Sequence, residues 1–168
     1  AEAMQAAAEE YPELAGYYPK AKKVLGSWLL SYQQLQGIYS PFTLEANYNG
    51  DMPAQDIPSA ICHELSHLKG FMREDEANFI AYLACRASDS VAFRYSGAML
   101  AWIYSGNTLY KQDPQSFREV RSELCEQAVR DLEDHNAYWN SYEGTAAEVA
   151  DKINDTYLRA NAQDDGTR

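Results

Sequence analysis

The chain has 168 residues, with 14 Lys and Arg against 25 Asp and Glu, a formal net charge of −11. That length suits one domain with a real core, and 46% hydrophobic residues are too many for a disordered chain. An acidic balance excludes nucleic acid and anionic lipid as main partners, since both need a basic face, and three Cys are too few for a disulfide scaffold.

Most of the chain reads as helix. Ala1 to Glu10 is rich in Ala and Glu, both good helix formers. After the turn signal Tyr17-Tyr18-Pro19, the stretch Lys20 to Gln36 spaces Val24, Trp28, Leu29 and Leu35 as a helix would. Between Gly37 and Asn49 the texture turns β-prone, with Ile38-Tyr39, Phe42-Thr43-Leu44 and Tyr48 punctuated by Pro41 and Asn49-Gly50. One or two short strands are expected there. A helix then begins near Pro58, with Asp56 or Ser59 to cap it and Gly70 to end it.

Further helices are expected over about Arg73 to Ala87 and Ser90 to Tyr104. Another starts at Pro114 and carries Phe117, Val120, Leu124, Ala128 and Leu132 on one stripe. A last helix opens with the capping box Thr145-Ala-Ala-Glu148 and turns Val149, Ile153 and Tyr157 inward, before a polar tail from Gln163 to Arg168. No internal repeat or linker is visible, so the expectation is a single domain of mainly α class (α+β), with a small β element before the Pro58 helix.

No apolar run is long enough to span a bilayer; the nearest, Val91 to Tyr104, is broken by Arg94. The start Ala1-Glu2-Ala3-Met4 lacks the basic and apolar regions of a signal peptide. With no Met at position 1, the sequence is expected to be a processed or excised piece.

Residues 63 to 67 read His63-Glu64-Leu65-Ser66-His67 and take up two of the three His in the chain. Two His four residues apart on a helix point the same way, so both imidazoles can reach one Zn²⁺. Glu64 stands beside that face, placed to take a proton from a zinc-activated water without ligating the metal. Ile61, Leu65 and Leu68 form the helix's apolar stripe and leave His63 and His67 on a neighbouring face. A third ligand is needed. Gly70 lets the chain reverse, and the run from Arg73 brings back Glu74, the first choice, and Glu76, the second. Asn78, one turn after Glu74, is placed to hold the far nitrogen of a ligating His, whereas Asp75 points away as a first-turn charge and Arg73 is set to pair with an acid.

His63-Glu64-x-x-His67 followed by Glu74-x-x-Ala77-Asn78 resembles the gluzincin metallopeptidases. The resemblance implies Glu74 as third zinc ligand and Asn78 as the residue orienting a ligating His. More closely, His63 to Cys85, with Pro41 to Asn49 upstream and Tyr95-Ser96-Gly97 downstream, resembles an uncharacterised bacterial family of membrane-anchored, zinc-peptidase-like proteins. That implies transmembrane segments outside this sequence and an extracytoplasmic domain. The six-residue spacer between His67 and Glu74 is shorter than in most gluzincins, which keeps Glu76 open. Arg73 stands where metzincins carry their third His, and Arg cannot ligate zinc.

A peptidase also needs a group to stabilise the oxyanion. Tyr95 is chosen, with Arg94 and His135 as other candidates, although His135 reads first as a solvated cation near a helix end. By resemblance, the segment Leu44, Glu45, Ala46 and Asn47 is expected to align the substrate backbone by edge pairing, and a plain structural strand fits the same residues equally. Cys62 and Cys85 read as small buried thiols. The expected function is zinc-dependent hydrolysis of a peptide or protein, with Glu64 as general base. The alternative is an idle zinc-binding domain in sensing or assembly. A di-iron carboxylate bundle fails, because its second Glu-x-x-His is missing: Leu132 stands three residues before His135.

Overall fold

A computed structural model describes residues 1–144. The capping box at Thr145 to Glu148, its helix and the polar tail lie outside the described residues. The elements in order are α1 (Glu2–Ala8), β1 (Lys22–Lys23), α2 (Trp28–Tyr32), β2 (Gly37–Ser40), β3 (Glu45–Tyr48), α3 (Ile57–Leu68), α4 (Glu74–Ala87), α5 (Val91–Gln112), α6 (Pro114–Ser122) and α7 (Glu126–Ser141). The class is mainly α with one small sheet, as the sequence reading expects. None of the described helices is long and apolar enough to cross a membrane.

α3, α4 and α5 form the frame, and the core lies between α1, α3 and α4. Ala3, Met4 and Ala7 of α1 meet Cys62 and Leu65 of α3 and Ile80, Ala81, Ala84 and Cys85 of α4, all buried. The small residues Ala3, Ala7, Ala81 and Ala84 let the three helices approach closely. A second cluster joins Met99 of α5 to Ala128 and Leu132 of α7.

The sheet has the order β1-β3-β2. β2 and β3 form a hairpin, with Gly37 opposite Tyr48 and Ser40 opposite Glu45, and β1 lies parallel to β3 at Asn47 and Tyr48. Leu44, in the turn, adopts a left-handed backbone with φ of 53°. After β3, the buried amide of Asn49 donates to Ser31 Oγ (2.9 Å) and to the Leu35 carbonyl (3.1 Å), while its Oδ1 accepts the Asp51 N–H (2.9 Å). That turn delivers the chain to α3.

Three expected elements are corrected. Of the helix expected from Lys20 to Gln36, only Trp28–Tyr32 is helical. Lys22 and Lys23 are drawn into the sheet, and Gly26, with φ of 73°, turns the chain before α2. Trp28 and Leu29 are half exposed, and the short helix buries Leu30 and Ser31 instead. α5 runs eight residues beyond Tyr104, to Gln112. The single stripe after Pro114 is split into α6 and α7. Asp113 caps α6 through the N–H groups of Gln115 and Ser116. Polar anchors along α7 then draw the chain across to α2 and the loop before α3: the Asp131 carbonyl accepts from Gln55 Nε2 (3.1 Å), and Tyr138 reaches Ser31 and Asp51.

Candidate metal centre

α3 and α4 run antiparallel across a short turn. Gly70 takes φ of 98°, a left-handed conformation that costs glycine little, and the Phe71 N–H closes back on the Ser66 carbonyl (3.2 Å). The antiparallel register sets His67 opposite Glu74 and His63 opposite both Glu74 and Asn78. His63 Nε2 lies 3.2 Å from Glu74 Oε2, and His67 Nε2 lies 3.7 Å from Glu74 Oε1. The imidazoles stand edge to face, with centroids 4.6 Å apart.

Each Nε2 faces the carboxylate because each Nδ1 is held from behind. His63 Nδ1 is 2.9 Å from Asn78 Oδ1, and His67 Nδ1 is 2.8 Å from the Phe71 carbonyl. Both acceptors require the proton on Nδ1, which leaves Nε2 as the donor atom of a ligand. Asn78 was readable from its place one turn after Glu74. The Phe71 carbonyl was not, because a backbone group carries no mark in the sequence; its position follows from the turn that Gly70 makes.

One donor atom from each of His63, His67 and Glu74 lies within 4.8 Å of the others. Ligand atoms 2.0–2.1 Å from a tetrahedral zinc stand roughly 3.3 Å apart, which the two nitrogen–oxygen separations bracket. Two neutral imidazoles and a carboxylate are also a donor set that zinc accepts, so these residues fit a metal ion. Glu76 is not brought to the histidines. Its carboxylate lies 3.8 Å from Arg73 Nε, and Asp75 takes two hydrogen bonds from the same guanidinium, at 3.1 and 3.0 Å.

The electrostatics of the metal-free centre follow from burial and from these pairings. Burial opposes the charge on His63, but the hydrogen bond it donates to Glu74 and the charges of Glu64 and Glu74 hold its pKa above the ordinary value. Burial and the neighbouring His63 push His67 down. Glu74 stays below the usual carboxylate range: burial would raise it, and the two histidines outweigh that.

Glu64 is buried on α3, 5% exposed, under β2. Burial pushes its carboxyl up to about 7, with the charge of Glu74 adding to the rise and His63 and the Tyr39 N–H opposing it. The approach of β2 is close. A Cβ on Gly37 would lie 2.6 Å from Glu64 Oε1 and 2.7 Å from the Asn47 carbonyl, so no larger residue fits there. The Asn49 N–H bonds the Gln36 carbonyl (2.8 Å), and antiparallel pairing alternates from that point. Gly37 and Tyr39 therefore turn their backbone groups away from β3, toward the edge that borders Glu64. Among the described residues, no strand covers that edge.

The expectation of substrate pairing on Leu44, Glu45, Ala46 and Asn47 is corrected. β3 is the middle strand, Ala46 is 1% exposed in the core, and Glu45 is held by Lys22. Leu44 lies in the turn, and the Asn47 amide bonds the carbonyls of Ile38 (3.4 Å) and Glu45 (3.3 Å). Tyr95 is not brought to the centre either. It packs with the Met99 cluster and donates its hydroxyl to Asp131 of α7. Arg94 is spent on the Ser88 carbonyl (2.7 Å). His135 is not turned out to solvent; its Nδ1 lies 2.7 Å from Asp56 Oδ2, with the two side chains 15% and 7% exposed.

Besides Tyr39, whose ring centroid lies 6.5 Å from that of His67, the centre is reached by Tyr104, nine residues along α5 from Tyr95. Its hydroxyl oxygen accepts a hydrogen bond from Asn78 Nδ2 (2.8 Å), and burial together with the charge of Glu74 raises its pKa. The sequence holds 13 Tyr, and spacing alone did not separate this one from the rest. The signal lies in packing. α5 runs antiparallel to α4, with Gly97 against Cys85, and the same register brings Tyr104 to Asn78.

The family model described as "Protein of unknown function (DUF3810)" matches the chain over residues 1–168. The chain belongs to that family. No curated protein and no solved structure matches it.

Proposed function

We propose that this chain is a zinc-dependent metallopeptidase with His63, His67 and Glu74 as ligands and Glu64 as general base. The observation that carries the reading is the convergence of two tautomer-fixed imidazoles and one carboxylate beside a buried carboxylate that takes no part in the ligand set. Zinc held there supplies Lewis acidity that makes water a nucleophile near neutral pH.

Glu64 accepts the proton from the attacking water and returns it to the leaving amine, a role that its buried place beside the ligand set suits. The hydroxyl oxygen of Tyr104 is engaged as acceptor by Asn78, which leaves its O–H to donate to the oxyanion. The open edge of β2, with the backbone groups of Gly37 and the carbonyl of Tyr39, offers the substrate main chain a pairing partner beside Glu64. The resemblance to membrane-anchored, zinc-peptidase-like proteins supports placing the domain outside the cytoplasm, tethered by segments outside this sequence. Peptide or protein is the partner, and the acidic charge opposes nucleic acid.

The test is hydrolysis of a fluorescein-labelled unfolded protein by the zinc-loaded chain, compared with Glu64→Gln. The variant is expected to keep its zinc and to lose roughly 10²–10⁴-fold in rate, the contribution of a general base. Equal rates, or a zinc-loaded parent that cleaves nothing, would instead leave a zinc-binding domain with a sensing or assembly role.

A further inference from the structure

Cys62 and Cys85 stand directly across the α3–α4 interface, their sulfurs 3.8 Å apart and both side chains buried. Cys62 immediately precedes the ligand His63 but points into the core, where it packs with Leu65 and Ala84. Over Cys85, α5 comes in at Gly97, where a Cβ would lie 2.6 Å from the cysteine's own Cβ. The pair is thereby walled off from solvent. The third cysteine, Cys125, is exposed.

We propose that Cys62 and Cys85 join as a disulfide that staples the two ligand-bearing helices together. The sulfurs need to close from 3.8 Å to about 2.05 Å, a movement within reach of side-chain rotation. The segment closed by the bond runs from residue 62 to residue 85 and contains His63, Glu64, His67, Glu74 and Asn78. One bond thus holds the whole centre in register without touching a ligand, and it does so whether or not metal is bound.

The reaction is thiol–disulfide exchange with a small-molecule or protein disulfide. One cysteine thiolate attacks it and releases one thiol; the second cysteine then attacks the mixed disulfide and releases the other. The pair loses two protons and two electrons, and the exchange partner is reduced to two thiols. Because both sulfurs are buried in the folded chain, the exchange belongs to folding, before α5 closes over Cys85. An oxidising compartment supplies the partner.

The test uses the full chain carrying Cys125→Ser, which removes the exposed thiol. It is refolded in a mixture of oxidised and reduced glutathione, with zinc and separately with chelator. After denaturation without reductant, alkylation is expected to label neither remaining cysteine, and an unreduced digest is expected to contain the Cys62–Cys85 cross-link. Refolding the same chain in reductant in place of the glutathione mixture is expected to lower the melting temperature by roughly 5–10 °C. A further variant with Cys62→Ala and Cys85→Ala, also lacking Cys125, is expected to ignore the reductant. Two alkylated cysteines, glutathione carried on one of them, or an equal response of both variants to reductant would overturn the proposal.

Discussion

A histidine meets a carboxylate in two regions of this molecule, and the two meetings have different chemical consequences. Between α3 and α4, Nδ1 of each ring is held by an uncharged acceptor, Asn78 or the Phe71 carbonyl, and both Nε2 atoms converge on Glu74. Between α7 and the start of α3, a single ring, His135, spends its Nδ1 on Asp56, and no second imidazole joins it. The first arrangement leaves lone pairs aimed at a common point. The second is a clamp that ties α7 to the residue preceding α3. What holds Nδ1, an uncharged acceptor or a carboxylate, and how many rings converge, separates the proposed ligand set from a structural pair.

The sharpest way to break that contrast is to remove one ring from each region. His67→Ala is expected to weaken zinc binding by roughly 10³-fold or more, read by competition with a chromogenic chelator, because two ligands do not hold the ion. His135→Ala is expected to leave zinc affinity unchanged. It would lower unfolding free energy by about 1–3 kcal/mol in a denaturant titration, since Asp56 is left buried without its partner. If His135→Ala released the metal and His67→Ala did not, the two regions would exchange roles.

A smaller effect is expected at Asn78. Asn78→Ala removes the acceptor that fixes the His63 tautomer and should cost about 10- to 100-fold in zinc affinity. Unchanged affinity would show that the tautomer is set elsewhere. Asn78→Asp keeps the acceptor for His63 but loses the amide that donates to Tyr104. It should therefore preserve zinc binding while slowing hydrolysis.

The smallest effect concerns pH in the metal-free chain. The carboxyl of Glu64 titrates near 7 in the folded state and near 4.5 when unfolded, so the folded state holds more protons between those values. Its contribution to stability is present below about pH 4.5 and is lost as pH rises through about 7. The raised pKa of His63 acts in the same direction, and the lowered pKa of His67 opposes it. Denaturant titrations should give a parent chain about 1–2 kcal/mol less stable at pH 8 than at pH 5. Glu64→Gln should flatten that slope, and an equal slope in both would contradict the assignment.

How much of this was legible in the sequence depended on whether the cause was local. The helix of His63 and His67, its end at Gly70, and the placing of Glu74 and Asn78 rest on spacing and on a left-handed glycine, which a sequence displays. Glu74 was separated from Glu76 only by the antiparallel register of α3 and α4, which turns one carboxylate to the rings and leaves the other near Arg73. Tyr104 rather than Tyr95, and β2 rather than β3 as the open edge, are consequences of packing between distant segments. The stretch from Lys20 to Gln36 misled because a β pairing two residues long, at Lys22 and Lys23, overrode a helical spacing.

The central claim is the ligand set, and metal content tests it most directly. The parent chain, Glu74→Ala and Glu76→Ala would be loaded with zinc, desalted and submitted together to elemental analysis. The account predicts about one zinc per chain in the parent and in Glu76→Ala, and a loss in Glu74→Ala. A parent that retains no zinc, or a Glu74→Ala variant that retains it in full, would contradict the account.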